Sequence, residues 1–196
     1  MSEQAGPPDP TLGVAHARYL EAAGFDAPDA PVVKIPIGPF TLPFPNTSAR
    51  KRVVWLHDLQ HLATGYGTDW PGEVEEAAFE LAAGCGHHPA AWALNFGVFA
   101  VGQAIAPYRG YRAFLRGRQA KSLYVLEGEY HPRLLEERLS SLRGRMGLEG
   151  TSAPTARDRA AYAVALSAVV ASAAALPLTF AVWALAQIVE PPQRPR

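Results

Sequence analysis

Along most of this chain, apolar residues recur three and four positions apart, the period of a helix that buries one face. From Thr11 to Ala23, Leu12, Ala15, Tyr19, Leu20 and Ala23 keep that spacing, and Gly24 is placed to stop the helix. A second helix is predicted from about Ala49 to Ala63. Val53, Val54, Leu56 and Leu59 supply its apolar surface, Trp55 adds bulk, and Asn46, Thr47 or Ser48 can cap it. TGYGTD, Thr64 to Asp69, then breaks the chain, with Gly65 and Gly67 permitting the turn. Thr68 or Asp69 caps a third helix, with Pro71 in its first turn and Gly84 as its stop after Ala83. Further helices are predicted over Ala90–Ala106, Tyr108–Gln119 and Arg133–Arg145. In the last, Leu134, Leu135, Leu139 and Leu142 face a core while Glu136, Glu137, Arg138 and Arg143 stay wet.

Proline and glycine punctuate the rest. Met1 to Pro10 holds three prolines and little to bury, which predicts a disordered tip. Ala27 to Pro45 holds six, which predicts an extended connector with strand pieces at VVKI and FTL. Gly147 to Thr155 reads as a loop-forming boundary. Beyond Arg159 no charge occurs until Glu190. A straight helix over Ala160–Val189 would reach roughly 45 Å, against a bilayer core of about 30 Å. Pro177 interrupts it, so one kinked or tilted spanning helix and a short hairpin both fit, as does a pair of Ala-rich helices packed on the domain or on another subunit. The expected layout is a tip at 1–10, a single all-α metal-binding domain at 11–148, a linker at 149–159 and a hydrophobic, membrane-associated segment at 160–189. The preceding domain is expected on the cytoplasmic side.

Composition narrows this picture. With 196 residues the chain suggests one domain plus an appendage, and 48% hydrophobic residues are enough for a core. The formal net charge is zero, which argues against a general nucleic-acid binder. Cys85 is the single cysteine, so an internal disulfide framework is excluded and a reducing compartment fits. It reads as a small buried residue near a helix end. MSEQAGPPDP has no apolar h-region, so no secretory signal is expected there.

The chemistry concentrates in HDLQHLATGYGTDWPGE, His57 to Glu73. At about 100° per residue, His57, Asp58 and His61 project into one sector of a helix, with the two imidazoles one turn apart. The loop from Thr64 to Gly72 is long enough to reverse the chain and bring Glu73 opposite His61. Nitrogen and oxygen donors of this mix suit a divalent metal, zinc first, iron or manganese also. The bland reading is a solvated face that carries His and Asp by chance; Glu73 and the glycine-rich reversal that delivers it weigh against that. Glu76 and Glu80 share Glu73's helix face and read as supporting bases or substitute ligands, whereas Glu75 reads as solvated. His87 and His88 are adjacent, so their side chains diverge. His16 and His131 are isolated and read as structural or surface residues. Tyr66 in the loop reads first as core packing. Arg109, Arg112, Arg116 and Arg118, interleaved with Tyr111 and Phe114, read as a solvated basic face, with an acidic substrate group or anionic lipid headgroups as the alternative partner.

These residues resemble a known family. HDLQHLATGYGTDWPGE looks like the hallmark of the ubiquinone (coenzyme Q) biosynthesis protein family of Coq-four type: His-Asp-x-x-His, eleven residues, then Glu, matched at His57, Asp58, His61 and Glu73. The Thr64–Tyr66 step and Gly72 match as well. RGRQAKSLYVLEGEYHPRLLEERLSSLRGRMGL, Arg116 to Leu148, is similar to the family's closing segment, so the resemblance spans roughly Ala49 to Leu148. It implies a mostly helical fold, a divalent metal commonly taken as zinc, and a peripheral membrane location. It also implies work on a prenylated hydroxybenzoate, whose ring carboxylate is replaced by decarboxylation linked to hydroxylation of the same carbon. Partners would be a prenylated lipid or quinone precursor, the membrane and other biosynthetic enzymes; a homo-oligomer is compatible. The hydrophobic tail from Ala160 departs from the usual pattern and leaves open a relative serving another lipid pathway.

On this reading His57, Asp58, His61 and Glu73 are both metal ligands and catalytic residues, the metal acting as Lewis acid on a carboxylate or phenolate oxygen. Four protein ligands would close a tetrahedral zinc site, so turnover would need an expanded shell or a ligand that swings away. Zinc also lacks redox chemistry, which the hydroxylation requires. Two other readings compete. In one, the metal staples two helices of a non-enzymatic lipid-binding or scaffold protein. In the other, an HD-type phosphohydrolase activates water, although no later HD pair supports it.

Overall fold

The computed structural model describes residues 9–23, 32–37, 40–150 and 152–189. Eight helices dominate them: α1 (Leu12–Ala23), α2 (Ser48–Thr64), α3 (Trp70–Ala83), α4 (Pro89–Ile105), α5 (Pro107–Gly117), α6 (Leu123–Leu126), α7 (Leu139–Met146) and α8 (Ala156–Val189). The fold class is all-α, as the helical periodicity predicts. The proline-rich connector supplies one small exception, an antiparallel hairpin of β1 (Val32–Ile37) and β2 (Phe40–Pro45) with Val32 opposite Pro45 and Ile37 opposite Phe40. A two-stranded ribbon has only edges, so strand prolines such as Pro36 and Pro43 cost it little. The predicted tip lies outside the described residues up to position 8, as does the expected stop at Gly24. Asp9 and Pro10 are not loose: the Asp9 carboxylate accepts from the Ser140 hydroxyl at 2.6 Å, and the Pro10 carbonyl accepts from Leu139 N–H at 3.0 Å.

Helix α3 is the centre of the first unit, packed along α5 and against α4. Val74, Ala77, Ala78 and Phe79 are buried from it, and Leu56, Leu59, Phe99, Phe114, Leu123 and Leu142 are buried from the other helices. The contact with α5 is close because Gly117 carries no side chain. A Cβ there would lie 2.3 Å from the Phe79 carbonyl oxygen. The last turn of α2 is finished from elsewhere in the fold: Arg143 donates to the Leu62 and Ala63 carbonyls at 3.2 and 2.9 Å, and Arg116 to the Thr64 carbonyl at 2.9 Å. Cations at a helix C-terminus satisfy orphan carbonyls and oppose the dipole.

The helix expected over Arg133–Arg145 needs correction. A short 3-10 helix, Pro132–Glu136, comes first, Glu137 and Arg138 are extended, and α7 begins only at Leu139. The start of α1 takes the place of helical bonds there, with Leu12 N–H donating to the Glu137 carbonyl at 2.8 Å and Thr11 bridging to Arg138. The leucine spacing continues through the break, so periodicity alone does not reveal it.

The chain divides into two units between Pro154 and Thr155. The second contains α8, one helix of 34 residues that passes through Pro177 without a break, so the hairpin alternative does not occur. Among the described residues, no helix is long and apolar enough to cross a membrane. The described side chains of α8 include Arg157, Asp158, Arg159, Ser167 and Ser172, and alanine, its commonest residue, is only weakly apolar. Its side chains from position 174 onward lie outside the described residues.

The Gly117 contact yields a test. Gly117→Ala drives a methyl into the backbone of α3, which cannot rotate away, and should cost about 1–3 kcal/mol in a denaturant titration. An unchanged midpoint would show that α5 does not approach α3 this closely.

Candidate metal centre

The α2–loop–α3 hairpin is built to return the chain. Thr47 caps α2, its hydroxyl accepting from Arg50 N–H at 3.2 Å. Gly65 ends the helix in the left-handed region at φ 79°, with its N–H on the His61 carbonyl. Asp69 caps α3 by accepting from Gly72 N–H at 3.1 Å, and Pro71 occupies the first turn. Gly72 is seated directly on the loop it follows: a Cβ there would lie 2.2 Å from the Gly67 carbonyl oxygen. This closure sets Glu73, the next residue, opposite α2.

His57, His61 and Glu73 form a group in which one donor atom from each lies within 4.8 Å of the others. The two Nε2 atoms are 3.1 Å apart. Glu73 Oε2 is 3.6 Å from His57 Nε2, and Glu73 Oε1 is 3.6 Å from His61 Nε2. Donors about 2.0–2.1 Å from one tetrahedral cation lie roughly 3.3 Å from each other, so these separations suit a shared metal ion. The other ring nitrogens are held from behind. His57 Nδ1–H donates to Glu80 Oε1 at 3.0 Å, and His61 Nδ1–H to the Tyr66 carbonyl at 3.2 Å. With both Nδ1 atoms carrying protons, the Nε2 lone pairs face each other and the Glu73 carboxylate. That is the support that metal-binding histidines ordinarily receive.

Asp58 does not join the three. It is buried, and its Oδ2 lies 3.5 Å from His16 Nε2 on α1. The sector argument places Asp58 about 100° around the axis from His57, and α1 occupies that side. The third residue of the predicted helical trio therefore serves an interhelical contact, and three protein donors remain.

Two further carboxylates of α3 are wholly buried, and they differ. Glu80 accepts from Gln60 Nε2 and Asn95 Nδ2 as well as from His57, and Gln60 in turn accepts from the backbone N–H of Leu123 at 2.9 Å. Glu76 accepts from the Thr64 hydroxyl at 2.5 Å through Oε2, 3.8 Å from His61 Nδ1, while its Oε1 has no hydrogen-bond partner. Burial, with the nearby Glu80 charge, raises the Glu76 pKa to about 7. At Glu73 burial is outweighed by the two imidazoles, and the pKa falls to about 2. Burial also opposes charge on His57, but Glu80 and Glu73 prevail and hold its pKa well above 6.5.

Helix α1 completes the surroundings, and nothing in the sequence pointed to it. Tyr19 stacks on His61 with ring centroids 6.1 Å apart, and His16 packs against Trp55 at 4.9 Å. Gln60 and Asn95 were missed also; each is a polar residue on an otherwise apolar face, which is the one signal available. Tyr66 contributes its carbonyl, while Arg116 lies 5.3 Å over its ring. The remaining histidines go elsewhere: His88 meets the Gly128 carbonyl, His87 stacks on His88, and His131 pairs with Glu127 at 3.0 Å. Cys85 is buried, and burial pushes its thiol up to about 12. Against family models, curated proteins and solved structures, the chain has no match.

Two outcomes follow from this geometry. In metal-free protein, the raised His57 pKa contributes stability that is present below about pH 6.5 and lost as pH rises through the raised value. The Glu73 contribution is present above about pH 4.5 and lost as pH falls toward 2. A metal must displace the His57 proton, so its affinity should climb roughly tenfold per pH unit between pH 6 and 8; a flat profile in metal titrations would refute a protonated His57. Separately, His61→Ala should abolish stoichiometric metal uptake, whereas Asp58→Asn should retain it. Equal loss in both, by elemental analysis of folded protein, would place Asp58 among the ligands.

Proposed function

We propose that this chain is a metal-dependent protein of quinone-lipid biosynthesis, acting on a prenylated hydroxybenzoate or a related lipid by C1 decarboxylation coupled to hydroxylation of the same carbon. One observation carries the reading: two imidazole nitrogens and one carboxylate converge, while Asp58 faces His16. Three protein donors with a position left over are the pattern of catalytic rather than structural metal sites. The substrate class rests on the resemblance of His57–Glu73 and Arg116–Leu148 to the ubiquinone biosynthesis family of Coq-four type. A divalent metal there would act as Lewis acid on a substrate carboxylate or phenolate oxygen; iron, which two histidines and a carboxylate suit, would add the redox capacity that zinc lacks.

The chain's own residues have definite parts in this proposal. Glu80 and the Tyr66 carbonyl hold the imidazoles in the tautomer that turns Nε2 inward. Gln60 and Asn95 hold Glu80 in turn. Glu76, with a pKa of about 7 and a free oxygen, is able to hold a proton beside His61 at neutral pH. Tyr19 covers one face of His61 and limits the approach of water. The HD-type phosphohydrolase reading loses support, because it needs the aspartate of the pair at the metal, and Asp58 is engaged with His16.

The test is turnover of a polyprenyl hydroxybenzoate by protein loaded with ferrous iron or with zinc, under dioxygen and with an added two-electron reductant so that one oxygen atom goes to the ring and the other to water, with products identified by mass. The expected product has lost the carboxylate and gained one hydroxyl. It should form with the iron-loaded protein and fall at least a hundredfold in His61→Ala. Folded, fully loaded protein that binds the lipid without turning it over would replace this reading with the scaffold one.

A further inference from the structure

Asp58 stands between the metal centre and α1. It follows His57 directly and precedes His61 by three positions, so its side chain and that of His61 are neighbours on the surface of α2. On the α1 side, His16 Nε2 lies 3.5 Å from Asp58 Oδ2. A carboxylate oxygen accepts, so the imidazole carries its proton on Nε2 and donates it to Asp58. This contact sets how many protein donors face the centre. With Asp58 turned to α1 there are three, His57, His61 and Glu73. With Asp58 turned back there would be four, and four protein donors close a tetrahedral site.

His16 is fixed for this task by what surrounds it. Its ring packs against Trp55 at 4.9 Å and stacks on Tyr19 at 6.2 Å. Of the described α1 side chains only Leu12 and His16 are buried. A buried imidazole is costly unless it is hydrogen-bonded, and among the described residues the bond His16 makes is to Asp58. The helix itself is seated from its start. Asp9 accepts from Ser140 N–H at 3.2 Å and from the Ser140 hydroxyl at 2.6 Å, and Leu12 N–H donates to the Glu137 carbonyl at 2.8 Å. One residue on, Gly13 lies so close to the 3-10 helix that a Cβ would be 3.2 Å from the Leu135 carbonyl oxygen. The depth at which His16 meets Asp58 is therefore set by the docking of α1 as a whole.

We propose that His16 is a positioning residue that withholds Asp58 from the centre, so that docked α1 leaves a divalent ion three protein donors and one position for an outside ligand. Without the His16 donor, the positive charge beside His61 draws the neighbouring Asp58 carboxylate, and rotation of that side chain completes a closed four-donor site. The inference rests on the metal centre, and not on the lipid or the reaction proposed for it.

Cobalt-loaded protein tests it, because the visible absorption of the ion reports its coordination and an azide titration reads the open position. Wild-type protein should bind azide. His16→Phe keeps a ring against Trp55 and Tyr19 but cannot donate. Its azide affinity should fall at least tenfold, while its zinc affinity, by chelator competition, should rise about tenfold. His16→Gln retains a donor and should restore wild-type azide binding. His16→Phe combined with Asp58→Asn should also recover azide binding and lose the gain in zinc affinity. Undiminished azide binding by His16→Phe, folded by its melting temperature and fully loaded, would overturn the proposal. A loss that persists in the double variant would overturn the part assigned to Asp58. Wild-type protein that takes up no cobalt would overturn the metal centre and this inference together. None of these measurements uses the lipid, so their outcome is separate from that of the turnover assay.

Discussion

Atoms bearing lone pairs, aimed at one point, repel each other unless positive charge lies between them. His57 Nε2, His61 Nε2 and the Glu73 carboxylate are aimed in this way, 3.1–3.6 Å apart. The fold holds them there from behind, with a buried carboxylate on one imidazole and a backbone carbonyl on the other. Either protons or a cation must occupy the centre. The raised pKa of His57 and the depressed pKa of Glu73 express the first solution, and a bound metal would be the second.

Keeping the three atoms in place requires a stiff hairpin. Its turn is closed by the Asp69 cap and by Gly72 seated on the Gly67 carbonyl. The end of α2 is held by Arg116 and Arg143, which reach it from distant segments. The buried carboxylates show how unevenly the cost of burial is met. Three donors surround Glu80, so its charge is compensated. Glu76 has one hydroxyl and an unanswered oxygen, and burial correspondingly favours its neutral form.

The helices on either side of the site were legible in the sequence because their signals are local. The expected Ala49–Ala63, the Gly65 stop and the Asp69–Pro71 start all reappear within a residue or so. The membership of His57, His61 and Glu73 in one group was legible for the same reason, since a helical turn and a short reversal leave few other arrangements. The role of Asp58 was not. Its angular position permits the metal, but His16, 42 residues earlier, determines which way its carboxylate turns. The break at Glu137–Arg138 was hidden likewise, because the leucine spacing runs on while the start of α1 captures the backbone.

By itself the sequence determined the all-α class, the phase of each helix about its own axis, and the reversal that returns Glu73 to α2. Those properties depend on residues a few positions apart, where chain geometry leaves little freedom. The tertiary structure alone decided that Asp58 would pair with α1 and that Gln60 and Asn95 would hold Glu80. Each of these depends on which distant segment arrives at a given face, and packing of the whole unit, rather than any local spacing, settles that.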